Sequence, residues 1–460
     1  MKRPIDWLPT VLLLCLLCGG GSARGEAASD VLSRDALFGL EEKADNTSRD
    51  AVGSAASGAQ PAWSGYLQSE LARTTAAPAH WSTARLRLEL DRAGAFSPSF
   101  KWKLGGRFDY DAAYDRSSYY DSAVRRDQRA SFVLRENYVD YSAGDWDLRL
   151  GRQHVVWGEM VGLFFADVVS ARDLREFILP DFDVLRIPQW AARVEYFSAD
   201  SHAELLWIPA PSIDDVGKPG ADFYPTPLPG PGGTVIRGEA KPARKLANSN
   251  YGLRLSTLQA GWDVSAFYYH SIDVSATYYR DVLPGPAPVF VYQPRHDAID
   301  QIGATLAKDL GWTVLKGEAV YTDGRKSNVT RLSQDTGLVA QPSLDYALGL
   351  DFELPAQTRL NLQLIQRIVG NYDRDTLQDR VESAASILLE GKLAPGLEAH
   401  LLLIASLNRD DWLLRPRLSW NLARNWRLAC GVDVFHGPPT GLFGRYAQRD
   451  RVYAELRYAF

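Results

Sequence analysis

The sequence predicts an all-β protein, a transmembrane antiparallel β-barrel of about 18 strands (16 is the alternative count) with a non-strand segment folded into its lumen. Three observations predict it. Apolar and polar residues alternate with a period of two in segments of about ten residues; short and long connections take turns between those segments; and the final segment is an aromatic-rich strand ending in Phe460.

At 460 residues the chain could fill two or three soluble domains, yet no linker divides it into separately patterned parts. Aromatic residues reach 11%, with 13 Trp and 21 Tyr, while mean hydropathy is slightly negative at -0.22. That balance suits a wall with one apolar and one polar face. Beyond the N-terminus no run of about 18 apolar residues occurs, so a spanning helix is excluded on length. A membrane protein lacking such a helix must be a closed barrel, because every backbone amide in lipid needs a partner. A soluble β-sandwich alternates as well; the export signal, the charge carried far along each polar face and the C-terminal strand favour the barrel.

The elements run as follows from the N-terminus. Lys2 and Arg3, an apolar run over 12–17, and Gly21, Ser22 and Ala23 have the order of a secretory signal peptide over 1–23, with Ala27 as the second cleavage site. A lipoprotein signal at Cys15 or Cys18 is disfavoured by the Leu before each. Cleavage removes both and leaves Cys430, so neither a disulfide framework nor a Cys metal site is expected. Lys2, Arg3 and Asp6 take a net +1 with them, so the overall charge of -5 becomes -6. Nothing indicates nucleic acid as a partner, and no motif for a nucleotide, metal or redox cofactor is present. Residues 24–61 read as a periplasmic tail or a small plug, with Leu32, Leu37, Phe38 and Leu40 marking a short helix.

The barrel occupies 62–460. Its strands are expected near 63–73, 82–91, 99–111, 131–141, 146–155, 190–198, 201–208, 248–258, 260–270, 297–308, 312–321, 343–354, 357–368, 379–393, 396–407, 411–421, 425–435 and 449–460. Leu86, Leu88 and Leu90 set against Arg85, Arg87 and Glu89 show the two faces, as do Leu344, Leu348 and Leu350 against Asp345 and Asp351. Tight links at 143–145, 259–261, 309–311, 355–357, 394–396 and 423–425 read as periplasmic turns. Longer ones at 115–129, 209–247, 271–296, 322–342 and 436–448 read as extracellular loops. The 209–247 loop holds eight of the 25 Pro and reads as an irregular, surface-exposed cap.

Between the fifth and sixth strands, 158–189 loses the alternation. A short helix is expected around 170–178, capped by Ser170 and stopped by Pro180. By strand parity this segment starts at the extracellular end, yet it is too apolar for a solvated loop. It is therefore expected to fold into the lumen as a constriction rather than close outside as a lid. The expected constriction residues are Arg149, Arg152, Gln153, Glu159, Arg172, Asp173, Arg175, Glu176, Asp181, Asp183 and Arg186. Strict alternation would turn Arg152 toward lipid, at a cost of about 2–4 kcal/mol near the midplane. A β-bulge near Gly151 that turns it inward is expected instead. At the other end, Tyr458 and Phe460 close an alternating strand, as in barrels inserted by the outer-membrane assembly machinery.

ENYVDY at 136–141, LRLGRQ at 148–153, WGE at 157–159 and RIPQW at 186–190 resemble a porin-like outer-membrane family of unknown function. The stretch ending in GRQ is also similar to part of the alginate-export channels, which are 18-stranded barrels. Such exporters have a strongly basic lumen, whereas 158–189 mixes acids and bases about evenly. The resemblance implies an outer-membrane channel.

The function expected is that of a porin-like channel, not an enzyme, passing small or amphipathic solutes. Its expected partners are outer-membrane lipid, the barrel-assembly machinery, a small-molecule solute and a periplasmic or inner-membrane transport component. Two other classes compete. One is an outer-membrane lipid hydrolase with His270 as base beside Ser249 and Asn250 at the outer rim, and the other is a closed structural barrel packed with ion pairs.

Overall fold

The computed structural model describes residues 63–158, 160, 166–227 and 229–460. The expected signal peptide, the 24–61 tail and Glu159 lie outside them. Within them, alternation over many segments has produced a closed antiparallel barrel of 18 strands. In chain order these are β1 (Ser64–Thr74), β2 (Trp81–Ser97), β3 (Phe100–Asp111), β4 (Ala130–Ala143), β5 (Trp146–Gln153), β6 (Gln189–Phe197), β7 (Ser201–Ile208), β8 (Asn250–Gln259) and β9 (Trp262–Ile272). They continue as β10 (Ala298–Asp309), β11 (Val314–Asp323), β12 (Ser343–Leu354), β13 (Thr358–Val369), β14 (Val381–Ala394), β15 (Leu397–Ser406), β16 (Trp412–Ala423), β17 (Trp426–His436) and β18 (Arg451–Ala459).

Each strand pairs with its sequence neighbour, and β18 pairs with β1 from Tyr66 opposite Ala459 to Thr74 opposite Arg451. Phe460 and Gly65 exchange two backbone hydrogen bonds of 3.0 Å at the seam. Closure leaves no unpaired edge, which lipid would not tolerate. The connections at one end are short. At 260–261, for example, Ala260 and Gly261 both have positive φ, 53° and 74°, the turn whose twist matches a two-residue hairpin.

The faces separate as the alternation requires. Leu86 and Leu348 are exposed on the outer wall, whereas Arg87, Asp109 and Asp345 are buried on the inner one. Exposed aromatics gather at two levels. Trp146, Tyr196, Trp262, Trp312 and Trp426 lie near the short-turn end, and Trp81, Trp190, Trp207, Tyr251 and Tyr321 near the long-loop end. Trp312, just before β11, and Tyr321, near its far end, are nine residues apart. At about 3.3 Å per residue and a tilt of roughly 40°, they bracket a band close to the ~25 Å apolar height of such barrels. Among the described residues no helix is long and apolar enough to cross a membrane.

Three local expectations differ from the structure. The β4–β5 and β5–β6 ladders run through Gly151 without a register shift; the shift lies one strand away, where Gly105 of β3 faces both Arg135 and Glu136 of β4. Gly151 instead has φ of 132°, and a Cβ there would meet the Asn137 carbonyl at 2.3 Å, so only glycine lets the two strands approach. The expected helix over 170–178 is a short bridge at Ala171–Arg172 followed by a turn with Phe177 at φ 55°. The helix forms after Pro180, at Phe182–Leu185, because the chain makes its bonds to loop and wall before that point. Nor is the whole 209–247 loop exposed: Asp214, Asp222, Phe223 and Tyr224 are buried, since the aromatic pair packs over the barrel mouth.

Candidate functional site

The inner wall carries apolar patches at positions where alternation should place polar side chains. Leu206, Phe267 and Val320 form one, Ala347 and Ile365 a second, and Ile404, Leu413 and Phe435 a third. In a water-filled lumen each would be exposed grease, and the 158–189 segment, with Val155 and Trp157 just before it, covers all three. Val155, Trp157, Ala166 and Val169 pack on the first patch, Met160 on the second, and Phe177, Ile178 and Leu179 on the third. Trp157 is fully buried and donates its indole N–H to Glu204 of β7 at 3.0 Å.

Polar contacts extend across the lumen. Glu318 of β11 accepts the backbone N–H of Met160 at 2.8 Å and of Ala166 at 3.2 Å. On the other side, Arg107 of β3 donates to the Val184 carbonyl, Arg135 of β4 to the carbonyls of Arg186 and Asp183, and Arg415 of β16 to those of Ile178 and Leu179. The segment therefore touches β3, β4, β7, β11 and β16 and runs through the barrel interior.

Glu176 is the centre of a belt of charge. Arg85 of β2 donates to one carboxylate oxygen and Arg451 of β18 to the other, the latter at 3.1 Å. Arg85 also holds Glu70 of β1 at 2.6 Å, and Arg451 shares Asp433 of β17 with Arg415 at 2.8 Å each. Burial alone would push the Glu176 carboxyl up, but Arg85 and Arg451 together hold it below the usual carboxylate range.

Asp173 and Arg175 form a two-pronged pair at 2.6 and 2.8 Å. Arg186, buried, donates to Asp167 at 2.9 Å. Arg172 gives its backbone N–H to Asp214 at 2.8 Å, and Leu174 and Asp215 continue the pairing, so loop 209–249 is laced to the segment. Asp181 and Asp183 keep contact with solvent although protein surrounds them on most sides. Asp181 reaches Arg417 at 3.1 Å; burial within the barrel opposes ionisation, but Arg417 and Arg415 keep its carboxyl low. Asp183 goes the other way, pushed up by burial more than Arg135 and Arg186 pull it down.

Arg149 lies toward the short-turn end, paired with Asp140 at 2.6 and 3.1 Å over the Tyr138 ring, and Gln153 is fully buried, its amide on the Ala191 carbonyl. Arg152 sits opposite Asn137 and Trp190 in the ladder. The segment is thus brought together with its wall partners, while Arg149 and Gln153 brace β5 against its neighbours. The sequence placed Arg85 on a polar strand face, but Arg85, Arg107, Arg135, Arg415, Arg417 and Arg451 were not among the expected constriction residues. The signal available for them was inward parity on their strands.

Two spaces flank the segment. Between Arg87, Asp109 and Glu176 a gap of about 30 Å³ holds little more than a water. A cavity of about 280 Å³ opens against β9 to β13. At the outer rim, His270 pairs with Asp300 at 2.9 Å and stacks on Tyr251, its cross-strand partner. The Ser249 hydroxyl donates to the Leu246 carbonyl, and Asn250 faces inward on Tyr269, so the competing grouping of His270 with Ser249 and Asn250 is not brought together.

Residues 79–391 match the family described as a protein of unknown function, DUF1302. The chain belongs to that family. The matched stretch of this DUF1302 protein includes the whole lumenal segment and the wall from β2 into β14. No curated protein matches the sequence. Among solved structures the fold is similar to OccAB3 of Acinetobacter baumannii, at TM-score 0.50 and 10% identity over 87% of this chain and 99% of that one. It is similar at the same score and identity to OccK2 (OpdF) of Pseudomonas aeruginosa, solved in complex with glucuronate, over 87% of this chain and 98% of that one. OccK9 (OpdG) of the same organism gives the same four values. At that identity the likeness is one of fold.

Proposed function

We propose that this protein is an outer-membrane, porin-like channel that passes small or amphipathic solutes through a charged lumen narrowed by 158–189. The observation that carries the reading is the segment itself. It is tied by ion pairs and carbonyl contacts to distant strands, yet it leaves a cavity of about 280 Å³ on one side and exposes Asp181 and Asp183. Fixed charges of both signs around a narrow path are what a selective pore needs. The fold shared with the Occ barrels supports the outer-membrane location, with the short turns periplasmic and the long loops extracellular. Tyr458, packed at a tilt against Trp426, and Phe460 at the seam would be read by the barrel-assembly machinery.

The test is ion conductance of the refolded protein in planar bilayers, with and without residues 160–185. The intact channel should open in small steps, and the deletion should give markedly larger ones. Silence from both proteins would sink the channel reading in favour of a closed barrel. Uptake assays in a deletion strain, over sugars, aromatic acids, sterols and hydrocarbons, would then identify the solute class.

A further inference from the structure

Near the short-turn end of the barrel, Arg427 of β17 and Arg457 of β18 lie directly opposite each other in the ladder, on the inward parity of Asp433 and Glu455. Residues so placed have Cβ atoms about 5 Å apart, and like charges there repel. Several lumenal cations at that end hold an acid: Lys103 takes Glu136 at 2.6 Å, Arg149 takes Asp140 at 2.6 Å, and Arg193 takes Glu195 at 2.9 Å. Arg427 and Arg457 hold none among the described residues. Glu455, the next inward acid on β18, is taken by Arg417 at 3.5 Å, and β1 sets neutral Gln68 opposite Arg457. Both guanidinium groups are also within reach of a solute. Arg427 donates from Nη2 to the Ser419 hydroxyl at 3.1 Å, and Arg457 places Cζ 3.6 Å from the centre of the Tyr66 ring. Nε and Nη1 of Arg427 and every side-chain nitrogen of Arg457 have no hydrogen-bond partner among the described residues, and none of them is sealed from solvent. Height along the wall places the pair just past the lumenal segment. Gly431 of β17 faces Arg417, which holds Asp181, and four residues at about 3.3 Å each put Arg427 roughly 13 Å nearer the short turns.

We infer that Arg427 and Arg457 form a binding subsite for a solute bearing an oxyanion, a carboxylate or a phosphate, on the short-turn side of the constriction. The inference deepens the channel reading and rests on it for the route by which the solute arrives. The edge of a guanidinium presents two parallel N–H groups, the match for two oxygens of one anion. A bound oxyanion supplies the negative charge that this part of the wall lacks, so it is attracted by both arginines and relieves their repulsion at once. No existing ion pair has to break to admit it. A neutral solute of the same shape gains neither effect, and a cation is repelled.

Three probes test the chemistry: benzoate, benzamide, which keeps its shape without the charge, and inorganic phosphate. Titration calorimetry on the full-length protein in detergent at low ionic strength should find benzoate bound at least about tenfold more tightly than benzamide, the worth of one charged hydrogen bond. That result assigns the pair to carboxylates, whereas phosphate binding without it assigns the pair to phosphates. Arg427→Gln combined with Arg457→Gln should bring the bound anion down to the benzamide level. Arg254→Gln, which removes a lumenal charge half the barrel away on β8, should leave it unchanged. Absence of binding by both anions, an affinity unmoved by the double substitution, or an equal loss in Arg254→Gln would overturn the subsite; the last would mean general attraction to lumenal charge. The double variant gives up repulsion and no ion pair, and if it fails to fold, Arg457→Gln alone, which breaks no side-chain hydrogen bond, carries the same comparison. Conductance recorded on the same preparations distinguishes the two readings. Anion binding without ion current would sink the channel and keep the subsite; current without anion binding would do the reverse.

Discussion

Glu176 shows how much one side chain carries. It joins Arg85 and Arg451, whose other partners are Glu70 and Asp433, so a single carboxylate links β2 to β18 from inside the barrel. Glu176→Gln would loosen the turn at 175–178 by about 2–3 kcal/mol, the loss of charged hydrogen bonds at a largely buried site whose arginines keep other acids. Conductance steps should become larger and noisier, and unchanged recordings would contradict the role given to it. Acidification should separate two other residues. Asp183, its carboxyl raised by burial, takes up a proton earlier than a free aspartate as pH falls; its folded form then gains stability, because its charge was disfavoured. Asp181 and Glu176 have lowered carboxyls, so the stabilisation they provide is present above the ordinary carboxylate range and is lost only as pH falls through their lowered values. As pH falls, Asp183 should lose its charge before Asp181 and Glu176 lose theirs, so the segment should stay docked while a lumenal negative charge fades. Reversal potentials should then shift toward anions, and Asp183→Asn should remove most of that shift. Arg135, Arg186, Asp181 and Glu89 surround Asp183, so the effect is one of a neighbourhood rather than of a lone acid.

Elements that belong to no strand are held as firmly as those that do. The 209–249 loop crosses from β7 to the far rim, where Asp222 accepts from Tyr120 at 2.6 Å, His80 at 3.0 Å and Arg449 at 3.1 Å, and His80 stacks on Tyr119 at 3.6 Å. Four connections thus meet on one buried carboxylate. Beneath it Phe223 packs with Phe435 and Tyr446, the same cluster that receives Phe177 of the lumenal segment. Asp222→Asn should weaken this latch by about 2–3 kcal/mol. Hydrogen exchange should then rise over 214–227 and 75–80 while the barrel strands stay protected. Protection that is lost evenly over the whole chain would point to a general fold defect and remove the latch from consideration.

At the scale of the molecule, stability depends on the seam. The strands that close it are the first and last among the described residues, so no local hairpin helps them meet. Phe460 contributes two backbone hydrogen bonds to Gly65, at about 1 kcal/mol each, and continues the aromatic row of Trp426 and Tyr458. Deleting Phe460 should reduce the heat-modifiable, folded fraction recovered from membranes several-fold. An unchanged yield would mean that neither the seam nor assembly needs the terminal residue.

The alternation of Leu86 with Arg87, or of Leu348 with Asp345, determined the number of strands, their order and the face of each side chain. Those properties depend only on neighbours in the chain, on hairpin turns, and on the refusal of lipid to accept charge. What surrounds Glu176 was decided by the tertiary structure alone. Arg85 and Arg451 lie at opposite ends of the sequence and become neighbours only when β18 pairs with β1. Period-two reasoning likewise could not see that inward-facing Phe267, Ile365 and Leu413 are sockets, because an apolar residue on a wet face makes sense only once the segment that covers it is in place. The displaced helix and the shifted bulge have the same origin. Both follow from where a mixed-charge segment finds donors and acceptors on a wall built from residues far from it in sequence.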